Sequence, residues 1–412
     1  MSRIHKIVIA CDSFKGSCNA IDATKYLEEG LLSYRPDLEI VKVPVADGGE
    51  GTVEALLFAT GGQRITTAAI DPLGRPRTAD FGLLPDGSAV LEMASASGLT
   101  LLSADERDPR ITSTYGTGQL MKAALDRGCR KMILGIGGSA TNDGGAGMAA
   151  ALGVKFYAAD GRELRFGPES YPMTSEGKPS YCGGAALADL ARIDVSGLDP
   201  RLSECDITVA CDVNNPLCGP TGASAIYGPQ KGATPEMVKQ LDNALSHYAE
   251  IVQRYVNTYL SGGQATDHEA PHSAAELPGA GAAGGLGFGL MTFCNAQIRS
   301  GIHSVLDMVR FEELVKDADL VITGEGAIDH QTLFGKVPQG VSERTKSVNP
   351  DIAVIGVCGT LGRDYDKAHS CGINYMMSIA TGPITLEQCM AEAPRLLKEA
   401  GCRIAHLTDI LK

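Results

Sequence analysis

The chain opens with an almost unbroken apolar run, KIVIA (6–10), followed by the polar stretch CDSFKGS. Ala20, Ala23, Leu27, Leu31 and Tyr34 then recur at helical spacing, and a second apolar run, EIVKVPV (39–45), comes after them. Continuous runs of this kind predict parallel strands covered by helices on both faces. After ADGGEGT (46–52) a further helix is predicted to about Thr60. The pattern changes near Gly61-Gly62, where QRITTAAI, RTADFGLL and SAVLEM alternate with the turn signals DPLGRP and PDGS, as in an antiparallel meander.

Further on, DITVACD (206–212) reads as a strand, and Thr234-Pro235-Glu236 opens a long helix. That helix carries Met237, Leu241, Leu245, Tyr248, Val252, Tyr255 and Tyr259 on one face, which is expected to pack on the meander. Alternation returns with DLVITGEG (319–326), a helix after Pro338, AVIGVCG (353–359), YMMSIA (375–380) and a final helix opened by the capping box Thr385-x-x-Gln388. The two ends are alike and the middle differs. The economical architecture is α/β: an open parallel-sheet domain made of 1–62 plus 295–412, interrupted by a second α/β domain, 63–294, with a mixed or antiparallel sheet. Such an insertion is expected to leave a cleft between the domains for ligands.

Composition narrows the classes. A length of 412 residues suggests two domains, and 44% hydrophobic with 21% charged residues is ordinary for a soluble globular protein. The net charge of −13, with no lysine or arginine run, argues against a nucleic-acid or anionic-membrane surface. No run is long enough to cross a bilayer, and MSRIHKIVIACD goes straight into a strand pattern rather than a secretory signal. The 12 cysteines are irregularly spaced without a Cys-x-x-Cys pair, as expected of reduced thiols in a cytoplasm.

Two motif matches fail on context. Gly279-Ala-Gly281-Ala-Ala-Gly284 has the dinucleotide spacing, but ATDHEAPHSAAELP upstream cannot be the strand that fingerprint needs. His268-Glu-Ala-Pro-His272 has the zinc-protease spacing, but Pro271 breaks the helical turn on which both histidines would have to sit. Gly335-Lys336 is followed by valine, so there is no Walker A loop, and Thr141 stands where a hydrolase nucleophile elbow needs glycine.

More informative are five polar loops that each follow a strand: DSFKGS (12–17), ADGGEG (46–51), GIGGSATNDGG (135–145), CDVNNP (211–216) and TGEGAID (323–329). In open parallel sheets such loops emerge at the carboxyl ends, where ligands bind. Any one of Asp12, Asp47, Asp143 and Asp212 alone is as readily a helix cap or strand terminator. Repetition favours chemistry: several carboxylates beside glycines can gather Mg²⁺ with substrate phosphates, and Lys15 and Lys336 can neutralise phosphate oxygens. Glycines in GIGGSATNDGG would bring backbone N–H groups close to an anion.

Together DSFKGS, VPVADGGEGT (43–52), IGGSATNDGGAGM (136–148), ACDVNNPL (210–217), GPQKGA (228–233), PGAGAAGG (278–285), ITGEGAID-x-QT (322–332) and GKVP (335–338) resemble the glycerate kinase type 1 family, in one order from first strand to last helix. Within that family the chain looks like the bacterial glycerate 2-kinases of glyoxylate and sugar-acid breakdown. Cys11 stands where members usually carry proline, and Cys18 where leucine is usual; neither changes a charged position.

The resemblance implies a flavodoxin-like domain built from both termini, and Mg²⁺-dependent transfer from ATP to D-glycerate at C2, with the C3 regiochemistry as the alternative. On that premise Asp47 is the leading general base, followed by Asp212 and Asp143. Lys15 and Lys336 would meet phosphate or carboxylate, and Gly137, Gly138, Ser139, Thr141, Asn142 and Gly324 would cradle phosphates. Asp143, Glu325 and Asp329 are the metal candidates. Two rivals remain: a nicotinamide dehydrogenase, which needs a strand before the 279–284 glycines, and a non-catalytic sugar-acid sensor, which leaves the carboxylates unexplained.

Overall fold

The computed structural model describes residues 4–167, 183–259, 274–333 and 335–410. His268 and His272 lie outside them. Along the chain the strands are β1 (Lys6–Cys11), β2 (Glu39–Lys42), β3 (Gln63–Ile70), β4 (Pro76–Leu83), β5 (Ala89–Glu92), β6 (Lys131–Gly135), β7 (Lys155–Ala158), β8 (Glu163–Leu164), β9 (Leu190–Asp194), β10 (Asp206–Ala210), β11 (Gln297–Arg299), β12 (Leu320–Ile328), β13 (Ala353–Leu361) and β14 (Tyr375–Ser378). The chain divides into two compact units, Met1–Gly62 with Ser300–Lys412, and Gln63–Arg299. The second junction falls later than the 294/295 read from sequence, because β11 pairs with β10 and so belongs to the inserted sheet.

The first unit is a five-stranded parallel sheet in the order β14-β13-β12-β1-β2. This is the flavodoxin-like winding, with its reversal between β1 and β12. Ile7, Ile9, Leu320 and Ile322 pack with Leu27 and Leu31 of the helix Ala20–Tyr34, and with Leu397 and Ile404 of the helix Ala393–Thr408, in one core. Strand β2 stands at the edge and is only half buried. The capping box at Thr385 is present, but the helix it opens ends at Ala391; a second begins at Ala393, with Pro394 in its first turn, where a missing N–H costs nothing.

The inserted unit holds a six-stranded mixed sheet in the order β11-β10-β6-β5-β4-β3. The meander β3-β4-β5 is antiparallel, and β5, β6, β10 and β11 then run parallel. A small antiparallel sheet, β8-β7-β9, lies beside it. The long helix Pro235–Tyr259 buries Leu241, Leu245, Tyr248 and Val252. It packs chiefly on β9, on 184–189 and on the helix Ala223–Tyr227, not on the meander, and His247 Nε2 lies 2.6 Å from the Leu190 carbonyl oxygen.

Among the described residues directly before Gly279-Ala-Gly281-Ala-Ala-Gly284 there is a 3-10 turn, Ala274–Glu276, and no strand of the kind a dinucleotide fold requires. Those glycines have another use. A Cβ on Gly284, whose φ is +70°, would stand 1.9 Å from the Thr141 carbonyl oxygen. Glycine is needed because two backbones pass within contact of one another.

Candidate active site

In the first unit, Asp12 directly follows β1. Its N–H donates to the Gly324 carbonyl at 2.8 Å, and its carboxylate accepts from the Ser13 N–H at 2.5 Å. Glu325 stands one residue past the final β1–β12 pair, Cys11 with Gly324. Gly324 itself, expected to face phosphate, is fitted to the sheet: a Cβ there would meet the Val357 carbonyl oxygen at 2.3 Å. Asp47 lies in the turn after β2, its Oδ1 accepting from the Gly49 N–H at 3.2 Å.

The three carboxylates differ in exposure. Asp12 and Glu325 are each 6% exposed, whereas Asp47 is half-buried. Burial, and next the charge of Asp47, push the Asp12 carboxyl up to about 7. Burial likewise raises Glu325 to about 7, with Asp47 adding to the shift while Lys336, Thr332 and Lys15 pull against it.

Around Glu325, the Thr332 hydroxyl donates to Oε1 at 3.0 Å and the Lys336 ammonium lies 3.7 Å from Oε2. Lys336 is the N-cap residue of the helix Val337–Val348. Lys15 sits exposed at the tip of a turn closed by reciprocal backbone bonds between Phe14 and Cys18, at 2.8 and 3.0 Å. Asp329 exchanges backbone bonds with Thr332, donating to its hydroxyl at 3.1 Å and accepting from its N–H at 3.0 Å, and so shapes the turn that presents Thr332. Asp12, Lys15, Asp47, Glu325 and Lys336 thus act on one another electrostatically. Among the described residues no three of His, Cys, Asp and Glu stand close enough to hold a metal ion alone.

In the inserted unit, GIGGSATNDGG begins at the end of β6 and leads into the helix Ala146–Ala151. Its face is divided. Gly137 and Gly138 are exposed and Ser139 is 7% exposed, but Thr141, Asn142 and Asp143 are fully buried. Asn142 Nδ2 donates to Ser224 Oγ at 2.9 Å. The Asp143 carboxylate accepts from the Thr114 N–H at 2.8 Å, from the Thr114 hydroxyl at 2.9 Å, and from the Gly145 and Gly147 N–H groups at 3.2 Å. Burial pushes Asp143 up while these donors oppose it. Asp143, expected among the metal candidates, is placed inside the fold, where its oxygens accept four hydrogen bonds, two of them from Thr114. Thr141 and Asn142 are likewise buried, and Thr141 Oγ1 and Asn142 Oδ1 have no hydrogen-bond partner among the described residues.

Behind this loop lies a residue that sequence reasoning passed over. Lys231, in GPQKGA, is 1% exposed, and its ammonium donates to Ser139 Oγ at 2.7 Å and to the Thr141 carbonyl at 2.6 Å. Burial pulls its pKa down to about 7, with Asp143 acting in the opposite sense. Nothing in the sequence marks this lysine apart from its place in a recurrent motif, since lysine is usually solvated. Asp212 lies two residues past the end of β10, partly exposed, with Oδ2 buried.

The first unit therefore offers a reachable carboxylate beside two buried ones and two cations, a combination suited to moving a proton next to a highly charged group. The inserted unit offers exposed backbone N–H groups on a loop stiffened from behind, a setting for an anion.

Comparison with known proteins agrees over nearly the full length. A family model described as the glycerate kinase family matches residues 7–409. A glycerate kinase of Bacillus subtilis (strain 168) is 47% identical over 408 residues, covering 99% of this chain and 98% of the relative. A glycerate 2-kinase of Escherichia coli (strain K12) is 46% identical over 401 residues, covering 97% of each. The crystal structure of a Salmonella typhimurium LT2 protein, assigned provisionally as glycerate kinase 2, superposes with a TM-score of 0.82 at 43% identity, covering 99% of both chains.

Proposed function

Because the chain belongs to the glycerate kinase family, we propose that it transfers the γ-phosphoryl group of ATP to the C2 hydroxyl of D-glycerate, giving 2-phospho-D-glycerate and ADP. The observation that carries this reading is the unequal exposure of three interacting carboxylates, Asp47 half-buried and Asp12 and Glu325 each 6% exposed. Asp47 takes the proton of the attacking hydroxyl as its oxygen bonds to the γ-phosphorus and the bridging P–O bond to ADP breaks. Lys15 and Lys336 neutralise phosphate or carboxylate oxygens. The backbone of Gly137 and Gly138, with Ser139, forms a second anion-binding element.

The donor set suits magnesium. Asp12 and Glu325 are hard oxygen donors whose carboxyls are raised first by burial, with the charge of Asp47 adding to it, so a cation beside them would favour their ionised forms. These two residues would hold a Mg²⁺, which would supply charge neutralisation on the transferring phosphoryl group. Asp329, which shapes the Thr332 turn, supports Glu325 from behind. The cysteines among the described residues are free thiols, which suits a reducing cytoplasm. No helix among the described residues is long and apolar enough to cross a membrane.

The test is coupled ADP release with D-glycerate, L-glycerate, glycolate and tartronate, with and without Mg²⁺, followed by phosphorus NMR of the product. Magnesium-dependent turnover of D-glycerate to a C2 phosphate is expected. A C3 phosphate would overturn the regiochemistry, and no turnover with any acid would overturn the kinase reading in favour of a sensor.

A further inference from the structure

A slot of about 370 Å³ opens in the first unit where β13 and β14 end, a volume within the ~300–1,000 Å³ range of small-molecule sites. Ile379, Ile384, Leu386 and Met390 give it apolar walls. Leu386 is 76% exposed and Ile384 38%, so two large apolar side chains stand open to water at the rim of a concavity. Lys15 and Gly326 also line the slot, the latter directly following Glu325.

We propose that this slot takes the purine base of the nucleotide substrate, with the ribose and phosphates leading past Lys15 toward Glu325. The assignment rests on the reading of the chain as an ATP-dependent kinase. Its chemistry separates the two substrates. Glycerate is small and anionic, and apolar walls would strip its carboxylate of water without replacing the lost hydrogen bonds. A purine is flat, and its uncharged faces can stack on apolar side chains and cover Leu386 and Ile384. One polar lining group, Ser378, is engaged within the fold: its Oγ donates to the Gly359 carbonyl at 2.8 Å and accepts from the Ala380 N–H at 3.1 Å. The floor is firm, because Phe14 is buried and a Cβ on Gly16 would stand 2.6 Å from the Met390 methyl carbon. A ligand with a stacking ring and a multiply anionic chain matches a slot lined both by apolar side chains and by a lysine.

The experiment compares the full-length chain with a Leu386→Ala/Ile384→Ala variant, which changes only exposed or half-exposed side chains. Isothermal titration measures ADP affinity, and initial rates give the KM for ATP and for glycerate. We expect the ADP Kd and the KM for ATP to rise about tenfold, the worth of one buried aliphatic side chain, with the glycerate KM unchanged. An ADP Kd within twofold of the parent overturns the assignment, as does an equal rise in both KM values. Parent protein that binds ADP but shows no glycerate-dependent turnover refutes the kinase reading and leaves the slot to be judged by the titration alone. Parent protein that turns over while the variant matches it refutes the slot and keeps the kinase.

Discussion

Lys231 supports Ser139 from within: the ammonium donates to the serine Oγ at 2.7 Å and to the Thr141 carbonyl at 2.6 Å, with the lysine 1% exposed. The exposed glycines of the loop are thus presented from a fixed base. Lys231→Met keeps the apolar stem and removes both bonds. We expect kcat/KM to fall at least about tenfold, as misplacement of a binding element commonly costs. Unchanged kcat/KM in initial-rate assays would reduce Lys231 to a packing residue.

The same lysine links stability to pH. Its ordinary pKa of 10.5 governs the unfolded chain, while burial lowers the folded value to about 7. Between those values the unfolded chain binds more protons, so raising the pH favours the fold; below about 7 both forms are protonated and the effect levels off. Urea denaturation of the parent minus that of Lys231→Met should therefore rise from pH 7 to 10, by up to about 1.4 kcal/mol per pH unit. A flat difference would show that the lysine is not held in a dry site.

Asp143 anchors the loop through four donors from Thr114, Gly145 and Gly147. Asp143→Asn turns an amide NH₂ toward some of these donors and should cost about 2–3 kcal/mol of stability. The apparent Mg²⁺ affinity of the remaining active protein should not change. A weakened magnesium dependence without a stability loss would return Asp143 to the metal candidates.

If Asp47 is the base, Asp47→Asn should lower kcat by ~10²–10⁴ with a small effect on KM. Asp212→Asn should be milder. Near-normal turnover in Asp47→Asn, together with abolition in Asp212→Asn, would move the role to Asp212.

Gly284→Ala tests the backbone contact behind the loop. At φ +70° and 1.9 Å from the Thr141 carbonyl oxygen, the new methyl must push Thr141 away. The strained backbone and the overlap together should destabilise the fold by at least ~2 kcal/mol, read as a fall in Tm. A Tm equal to that of the parent would mean that the loop yields freely.

What could be read in advance follows from how local each signal is. Strands β1, β12 and β13 are legible because parallel strands buried on both faces need unbroken apolar runs, whatever packs on them. The packing partner of Pro235–Tyr259 is not legible: its apolar stripe shows that it is covered, but β9 and 184–189 carry no matching periodicity. At the site, the same Thr141, Asn142 and Asp143 would serve a ligand-facing loop or an inward anchor, since both need short hydrogen-bonding side chains. Only the fold tells which way they turn. The 279–284 glycines could be denied a nucleotide role for want of a strand, yet their actual contact, a backbone far away in sequence, leaves no local trace.

Strand β1 pairs with β2 on one side and with β12 on the other, and residues 63–299 lie between those partners in the chain. On the ribosome the inserted unit is complete before β12 exists. At about 5–20 residues per second, the amino-terminal segment waits on the order of 10–50 seconds with one flank of its central strand unpaired. The sheet that carries Asp12 and Asp47 is then the last part of the molecule to close, and the period in which a nascent chain most needs a chaperone falls on the unit built from its two ends.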